Sequence, residues 1–226
     1  MRLVKYINRE SQAESLANIV AEQIRVAIGQ NGVARIALSG GTTPQAFLAE
    51  LDKQNLPWES VRLTLTDERQ VAADNPRSNL RFICSHLPQA SARAQLVPLY
   101  DAVDGCMDVD ALNRVVREQM LPLDVCVLGM GEDGHFASLF PTADNLEAAL
   151  AAHNATPVML IEATGIAEGR VSLTLSALLS APAMHLLIQG ETKRQVLKAA
   201  SAGTSALPVA ALLAQAGDRL LVHFAD

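Results

Sequence analysis

Apolar residues recur along this chain in two alternating rhythms. Short apolar runs with β-branched residues, bounded by turn residues, predict buried strands over 3–7, 33–38, 61–65, 123–128, 157–161, 184–188 and 220–224. A strand is also predicted at 96–99, and 171–175 alternates as a strand does. Between these runs the spacing becomes helical. Leu16, Ile19, Val20, Ile24 and Ile28 share one face of a helix over 10–28, which Gly29 and Gly32 end. Further helices are predicted over 44–51, 78–87, 109–120, 191–202 and 207–215, with shorter ones over 146–152 and 176–179. No Pro/Ser-rich linker or internal repeat interrupts the β–α alternation. The pattern predicts one α/β domain over 1–226, with a mainly parallel sheet covered by helices on both faces.

In a parallel sheet all strand C-termini face one edge, so residues remote in sequence can converge there. Four strand ends carry polar clusters: 39–44, 67–69, 129–135 and 190–193. The densest follows the run at 123–128, where Gly129, Gly131 and Gly134 are interleaved with Glu132 and Asp133 and followed by His135. These glycines satisfy G-x-G-x-x-G, the dinucleotide fingerprint, but that motif needs a long helix next and an acid about 20 residues on. Pro141 closes the segment too soon, residues 150–154 hold no acid, and two carboxylates in the loop would repel a pyrophosphate. A plain strand-to-helix turn with solvated acids is the simpler alternative.

Composition narrows the classes. With 226 residues, 50% hydrophobic, the chain can bury a large core without disulfides or metals. A net charge of −6 and a pI near 5.4 argue against a nucleic-acid footprint, although an anion can still bind where cations cluster. Cys84, Cys106 and Cys126 are scattered with no C-x-x-C, as in a reduced, cytoplasmic protein without a zinc site. The first ten residues lack the apolar core of a signal peptide, and no run reaches the ~18 apolar residues of a membrane span.

Ser39, Gly40, Gly41, Thr42, Thr43 and Pro44 have the composition of an anion cradle: glycines let backbone N–H groups approach a phosphate, and a helix N-terminus adds positive potential. Thr43 before Pro44 also reads as an ordinary N-cap with proline at the first helical position, which leaves the two glycines and Thr42 unexplained. No Gly-Lys-Ser/Thr follows, so this is no Walker loop. Lys193 falls near a helix N-terminus, where a bound anion would offset its conflict with the helix dipole. Arg69 and Arg170 stand beside strand ends and are capable of bidentate contacts, though surface arginines are commoner. A single histidine usually has a structural role. The acidic company of His135 favours a general base instead, since a carboxylate can orient an imidazole. Ser138 lacks the G-x-S-x-G elbow of a nucleophile.

LSGGTTP at 38–44, TDER at 66–69, SN at 78–79, LGMGEDGHFASLFP at 128–141, RVSLTLSAL at 170–178 and GETKRQVL at 190–197 together resemble the 6-phosphogluconolactonase family. The motifs span most of the chain in the family's order. The resemblance implies a Rossmann-like three-layer α/β fold, shared with glucosamine-6-phosphate deaminases. It also implies hydrolysis of 6-phospho-glucono-1,5-lactone in the pentose phosphate pathway and no required cofactor. It places catalysis on His135, phosphate recognition on the Gly41–Thr42 loop, Arg170 and Lys193, and a substrate contact on Arg69. Within that mechanism His135 activates water, Asp133 orients it, Asp67 holds sugar hydroxyls, and glycine-turn N–H groups stabilise an oxyanion. Phe136 replaces a frequent threonine and so bears on the pocket wall; Thr42 replaces a frequent serine and keeps the hydroxyl. The deaminase pattern supports its ring-opening histidine with a glutamate a few residues downstream, and 136–140 supplies none. The implied partner is a small sugar-phosphate lactone, without nucleic acid or membrane; a monomer and a small homo-oligomer both fit. A sugar-phosphate isomerase or deaminase and a non-catalytic sugar-phosphate sensor are the alternatives.

Overall fold

The computed structural model describes residues 2–100, 108–203 and 205–226; Cys106 lies outside them. In chain order the elements are β1 (Arg2–Lys5), α1 (Arg9–Asn31), β2 (Ala34–Leu38), α2 (Gln45–Asp52), β3 (Val61–Leu65), β4 (Asp67–Arg69), α3 (Asn79–His86), α4 (Pro88–Arg93), β5 (Gln95–Val97), α5 (Val109–Gln119), β6 (Val125–Gly129), α6 (Leu146–Leu150), β7 (Val158–Ile161), β8 (Arg170–Leu173), α7 (Leu175–Leu178), β9 (Ala183–Gln189), α8 (Glu191–Ser201), α9 (Pro208–Ala216) and β10 (Leu220–Ala225).

Seven strands form a sheet in the order β1-β10-β9-β6-β2-β3-β5, with every pairing parallel. Consecutive residues of β6 and β9 are buried, so both sheet faces are covered, as the continuous apolar runs predicted. From β2 the chain moves outward to β3 and β5, then returns to the other side of β2 at β6 and continues to β9 and β10. The topological switch point therefore lies between β2 and β6. There the two neighbouring connections leave in opposite directions and open a crevice at the strand C-termini.

Three local expectations are corrected. Helix α1 passes through Gly29 and stops at Gly32, whose φ of 72° allows its N–H to reach the Ile28 carbonyl. At its start Asn8 and Ser11 form a reciprocal capping box. Thr43 does not cap α2: the cap position falls on Pro44, with no side-chain capping bond. Residues 67–69 are not simply a polar strand end. They form β4 of a second, antiparallel sheet in the order β4-β8-β7, which the helix–strand alternation did not reveal. Helix α4, beginning at Pro88, was also not anticipated, because Leu87 and Pro88 read as a helix end. Among the described residues no helix is long and apolar enough to cross a membrane.

Candidate active site

A cleft of about 240 Å³ opens at the switch point, lined by Ser39 to Pro44 after β2, Asp67 and Arg69 on β4, Gly129 to Gly131 and His135 after β6, and Lys193 in the first turn of α8. Four segments separated by up to about 150 positions thus meet at one sheet edge, as predicted.

His135 is built by its own turn. The Nδ1 atom lies 2.5 Å from Asp133 Oδ1, and the same oxygen accepts the His135 backbone N–H at 3.2 Å. Gly131 donates to the His135 carbonyl at 2.9 Å, and Gly134, at φ 77°, donates to the Gly131 carbonyl at 3.1 Å. The loop folds so tightly that a Cβ at Gly131 would run into both the His135 ring and the Asp133 carboxylate. Glycine is required at 131 for that packing. With Nδ1–H donating to Asp133, the Nε2 lone pair is the one left to accept a proton. The ring packs on Phe140 with centroids 4.6 Å apart.

Backbone N–H groups collect across the cleft. Among the described residues, those of Gly40, Gly41, Thr42 and Thr43 meet no acceptor in the chain, and they precede the N-terminus of α2. Gly40 is forced to lack a side chain because the Asn79 amide occupies the space of its Cβ. The Thr43 hydroxyl, free of any capping duty, accepts from Lys193 Nζ at 3.5 Å. Lys193 is half-buried, which pushes its pKa down, while Glu132 nearby opposes that shift. The glycine N–H groups of the histidine turn are already used: Gly129 donates to Ser39 Oγ at 3.3 Å, and Gly131 and Gly134 bond within the turn. Of the two glycine turns, the one that carries His135 therefore leaves no glycine N–H free for an oxyanion.

Asp67 is nearly buried on the cleft floor, its carboxylate accepting from Thr66 Oγ1 at 3.1 Å and Ser138 Oγ at 2.6 Å. Arg69 lines the cleft, and its guanidinium donates to the Arg77 carbonyl. Arg170 pairs with Arg69 across β4 and β8 but does not line the cleft. Its guanidinium donates to the Glu168 carbonyl, lies 3.5 Å from the Glu168 carboxylate and packs over Phe140. Burial, followed by the Arg69 charge, lowers its pKa. Asp133 likewise stays behind His135 rather than in the wall. Phe136 is fully buried, so it is not a pocket wall residue. Ser138 is also fully buried, in line with its exclusion as a nucleophile.

Glu68 was not foreseen. Its buried carboxylate accepts from the N–H groups of Arg69, Asn79 and Leu80 at 2.7, 2.7 and 2.8 Å and from Ser78 Oγ at 3.0 Å. This ties β4 to the N-terminus of α3 and so fixes Asn79 against Gly40. Among the described residues no group of three or more His, Cys, Asp or Glu side chains gathers closely enough to hold a metal ion.

Comparison with known proteins agrees with this architecture. The family profile described as glucosamine-6-phosphate isomerases/6-phosphogluconolactonase matches residues 7–222. The chain is similar to the 6-phosphogluconolactonase of Rhizobium meliloti, with 39% identity over 222 residues covering 96% of both chains. It is 40% identical over 208 residues to that of Mesorhizobium japonicum, covering 91% of this chain and 87% of that one. Among solved structures, a 6-phosphogluconolactonase from Shewanella baltica superposes with a TM-score of 0.89 at 30% identity, covering 99% of this chain and 96% of that one. With the profile spanning every segment that lines the cleft, the chain belongs to the glucosamine-6-phosphate isomerase/6-phosphogluconolactonase family.

Proposed function

We propose that this protein hydrolyses 6-phospho-D-glucono-1,5-lactone to 6-phosphogluconate, the lactone-opening step of the oxidative pentose phosphate pathway, with His135 as general base. The observation that carries the role of His135 is its Nδ1 contact to Asp133, which orients the ring and leaves Nε2 as acceptor beside a cleft rich in N–H donors. The four free N–H groups at 40–43 and the Lys193 ammonium form a site for a phosphate dianion. Arg69 adds charge to the cleft lining, and Arg170 is its partner on β8. Asp67 offers acceptors to sugar hydroxyls.

The chemistry balances without a cofactor. His135 Nε2 takes a proton from water as its oxygen attacks the lactone carbonyl carbon, giving a tetrahedral oxyanion. Collapse breaks the bond to the ring oxygen, which takes the proton back from the imidazolium. Asp133 holds the ring through both steps, and phosphate binding places the reacting carbon. The whole chain acts as one catalytic domain. Reduced Cys84 and Cys126 suit a cytoplasmic setting.

The test is acid release from fresh 6-phosphogluconolactone by wild type and His135→Ala, corrected for spontaneous hydrolysis. His135→Ala is expected to fold and to lose about 10²–10⁴-fold in kcat/KM, the usual scale of general acid–base catalysis. A folded His135→Ala variant with wild-type kcat/KM would end this mechanism. Glucosamine 6-phosphate should release no ammonia, because 136–140 supplies no carboxylate for a ring-opening histidine; steady release would assign the protein to the deaminases.

A further inference from the structure

The segment after the histidine turn carries a strained residue and a buried hydroxyl that the reaction as drawn does not use. Ala137 has φ 48°, a left-handed conformation costly for a residue with a Cβ. It begins the reversal closed by the Leu139 N–H on the Phe136 carbonyl at 3.0 Å. Phe136 and Leu139 are buried in the core, and between them Ser138 is turned inward at zero exposure. Its Oγ donates to Asp67 Oδ2 at 2.6 Å, and its N–H reaches Ser172 Oγ on β8 at 3.3 Å.

The other carboxylate oxygen is held as well. Thr66 Oγ1 donates to Asp67 Oδ1 at 3.1 Å and is itself bonded to Ser39 Oγ at 2.9 Å, and Ser39 Oγ accepts from the Gly129 N–H. The Asp67 backbone is fixed by its pairing with Ser172 and by the Asn79 amide on its carbonyl at 2.8 Å. A carboxylate has about four acceptor positions. One hydroxyl on each oxygen leaves acceptor capacity on both for the cleft that Asp67 lines.

We propose that Ser138 is a positioning residue for the reaction, holding the Asp67 carboxylate so that its free lone pairs receive hydroxyl groups of the sugar ring. This rests on the lactonase reading and deepens it. Ser138 lies three residues after the base and bonds to a carboxylate 71 positions away, so a single short segment sets His135 and Asp67 in one frame. The strain at Ala137 is the conformation that turns Ser138 toward Asp67 while Phe136 and Leu139 stay in the core.

The test is a double-mutant cycle in kcat/KM on 6-phosphogluconolactone with Ser138→Ala, Asp67→Asn and the pair, plus Ser138→Thr as the variant that keeps the hydroxyl. Ser138→Ala is expected to lose about 10- to 100-fold, the scale of a hydrogen bond to a charged group. In the Asp67→Asn background the same change should cost less than about threefold, since the charged carboxylate it positions is gone. Ser138→Thr should recover most of the loss. If Ser138→Ala does not fold, Thr66→Val tests the other oxygen in the same cycle and should show the same non-additivity. Additive losses, wild-type activity in Ser138→Ala, or no recovery in Ser138→Thr would overturn the role of Ser138 while leaving the lactonase reading intact. A wild-type protein that leaves the lactone at its spontaneous rate would defeat both.

Discussion

At the scale of single residues, the site depends on two opposite requirements: groups that must be present and side chains that must be absent. Lys193 is of the first kind. Half-buried and 3.5 Å from the Thr43 hydroxyl beside four free N–H groups, it is the cation of the proposed phosphate site. Lys193→Ala should cost about 1.5–3 kcal/mol, or roughly 10- to 150-fold in kcat/KM, on the phosphorylated lactone. The loss should be much smaller on unphosphorylated gluconolactone, and steady-state kinetics on both substrates checks the difference; equal losses would remove Lys193 from phosphate recognition. Gly131 is of the second kind. Gly131→Ala drives a methyl group into the His135–Asp133 pair, so kcat should fall at least about tenfold while the thermal midpoint moves little. A variant with wild-type kcat would show that the pair tolerates displacement. His135 was legible in the sequence through its acidic neighbours, and Lys193 through its place in a helix first turn. The contact of Gly131 with the His135 ring was not, because a glycine in a turn is explained equally well by backbone freedom.

At the scale of elements, the site is held by connections between segments. Glu68 is the clearest case: one buried carboxylate accepts three backbone N–H groups and the Ser78 hydroxyl, and places a negative charge at the N-terminus of α3. Glu68→Gln keeps the size but turns one acceptor into a donor facing other donors. It should lower unfolding stability by about 2–4 kcal/mol, read as a shift in the urea midpoint, and reduce activity indirectly by freeing Asn79 from Gly40. An unchanged midpoint would mean that the α3 terminus finds other acceptors. Sequence patterning found α3, since helical periodicity is local, but did not single out Ser78 as its cap. It did not find the second sheet, because a three-residue strand has too few positions for a periodicity and its partner β8 is about 100 residues away.

At the scale of the whole molecule, a buried polar chain crosses beneath α1. Tyr6 OH contacts His223 Nδ1 at 2.8 Å, His223 Nε2 contacts His185 Nδ1 at 3.0 Å, and His185 Nε2 contacts Gln23 Oε1 at 2.8 Å. Both imidazoles are neutral links. Burial, followed by the charge of His223, pushes His185 down to about 3, and burial pushes His223 down to about 4. In the unfolded chain each titrates near 6.5. Their contribution is therefore fully present above about pH 6.5 and is lost as pH falls toward 4 and then 3, because only the unfolded state binds the protons. From pH 7 to pH 5 this should remove roughly 2–4 kcal/mol, seen as a fall in urea midpoint that a His185→Gln/His223→Gln variant lacks; parallel falls in both proteins would assign the acid sensitivity elsewhere. The strands of the large sheet, most of the helices, burial of the central strands and the clusters at their ends were determined by the sequence alone; β4 and α4 were not. Each feature so determined depends on periodicity or on neighbours a few residues apart. The order β1-β10-β9-β6-β2-β3-β5, the crevice between β2 and β6, the antiparallel sheet that carries Asp67 and Arg69, and the pairing of His185 with His223 were decided only by tertiary structure. The physical reason is that strand order, and every contact that crosses it, depends on which buried surfaces pack together across tens to hundreds of residues, and a repeat of two or 3.6 positions carries no record of that choice.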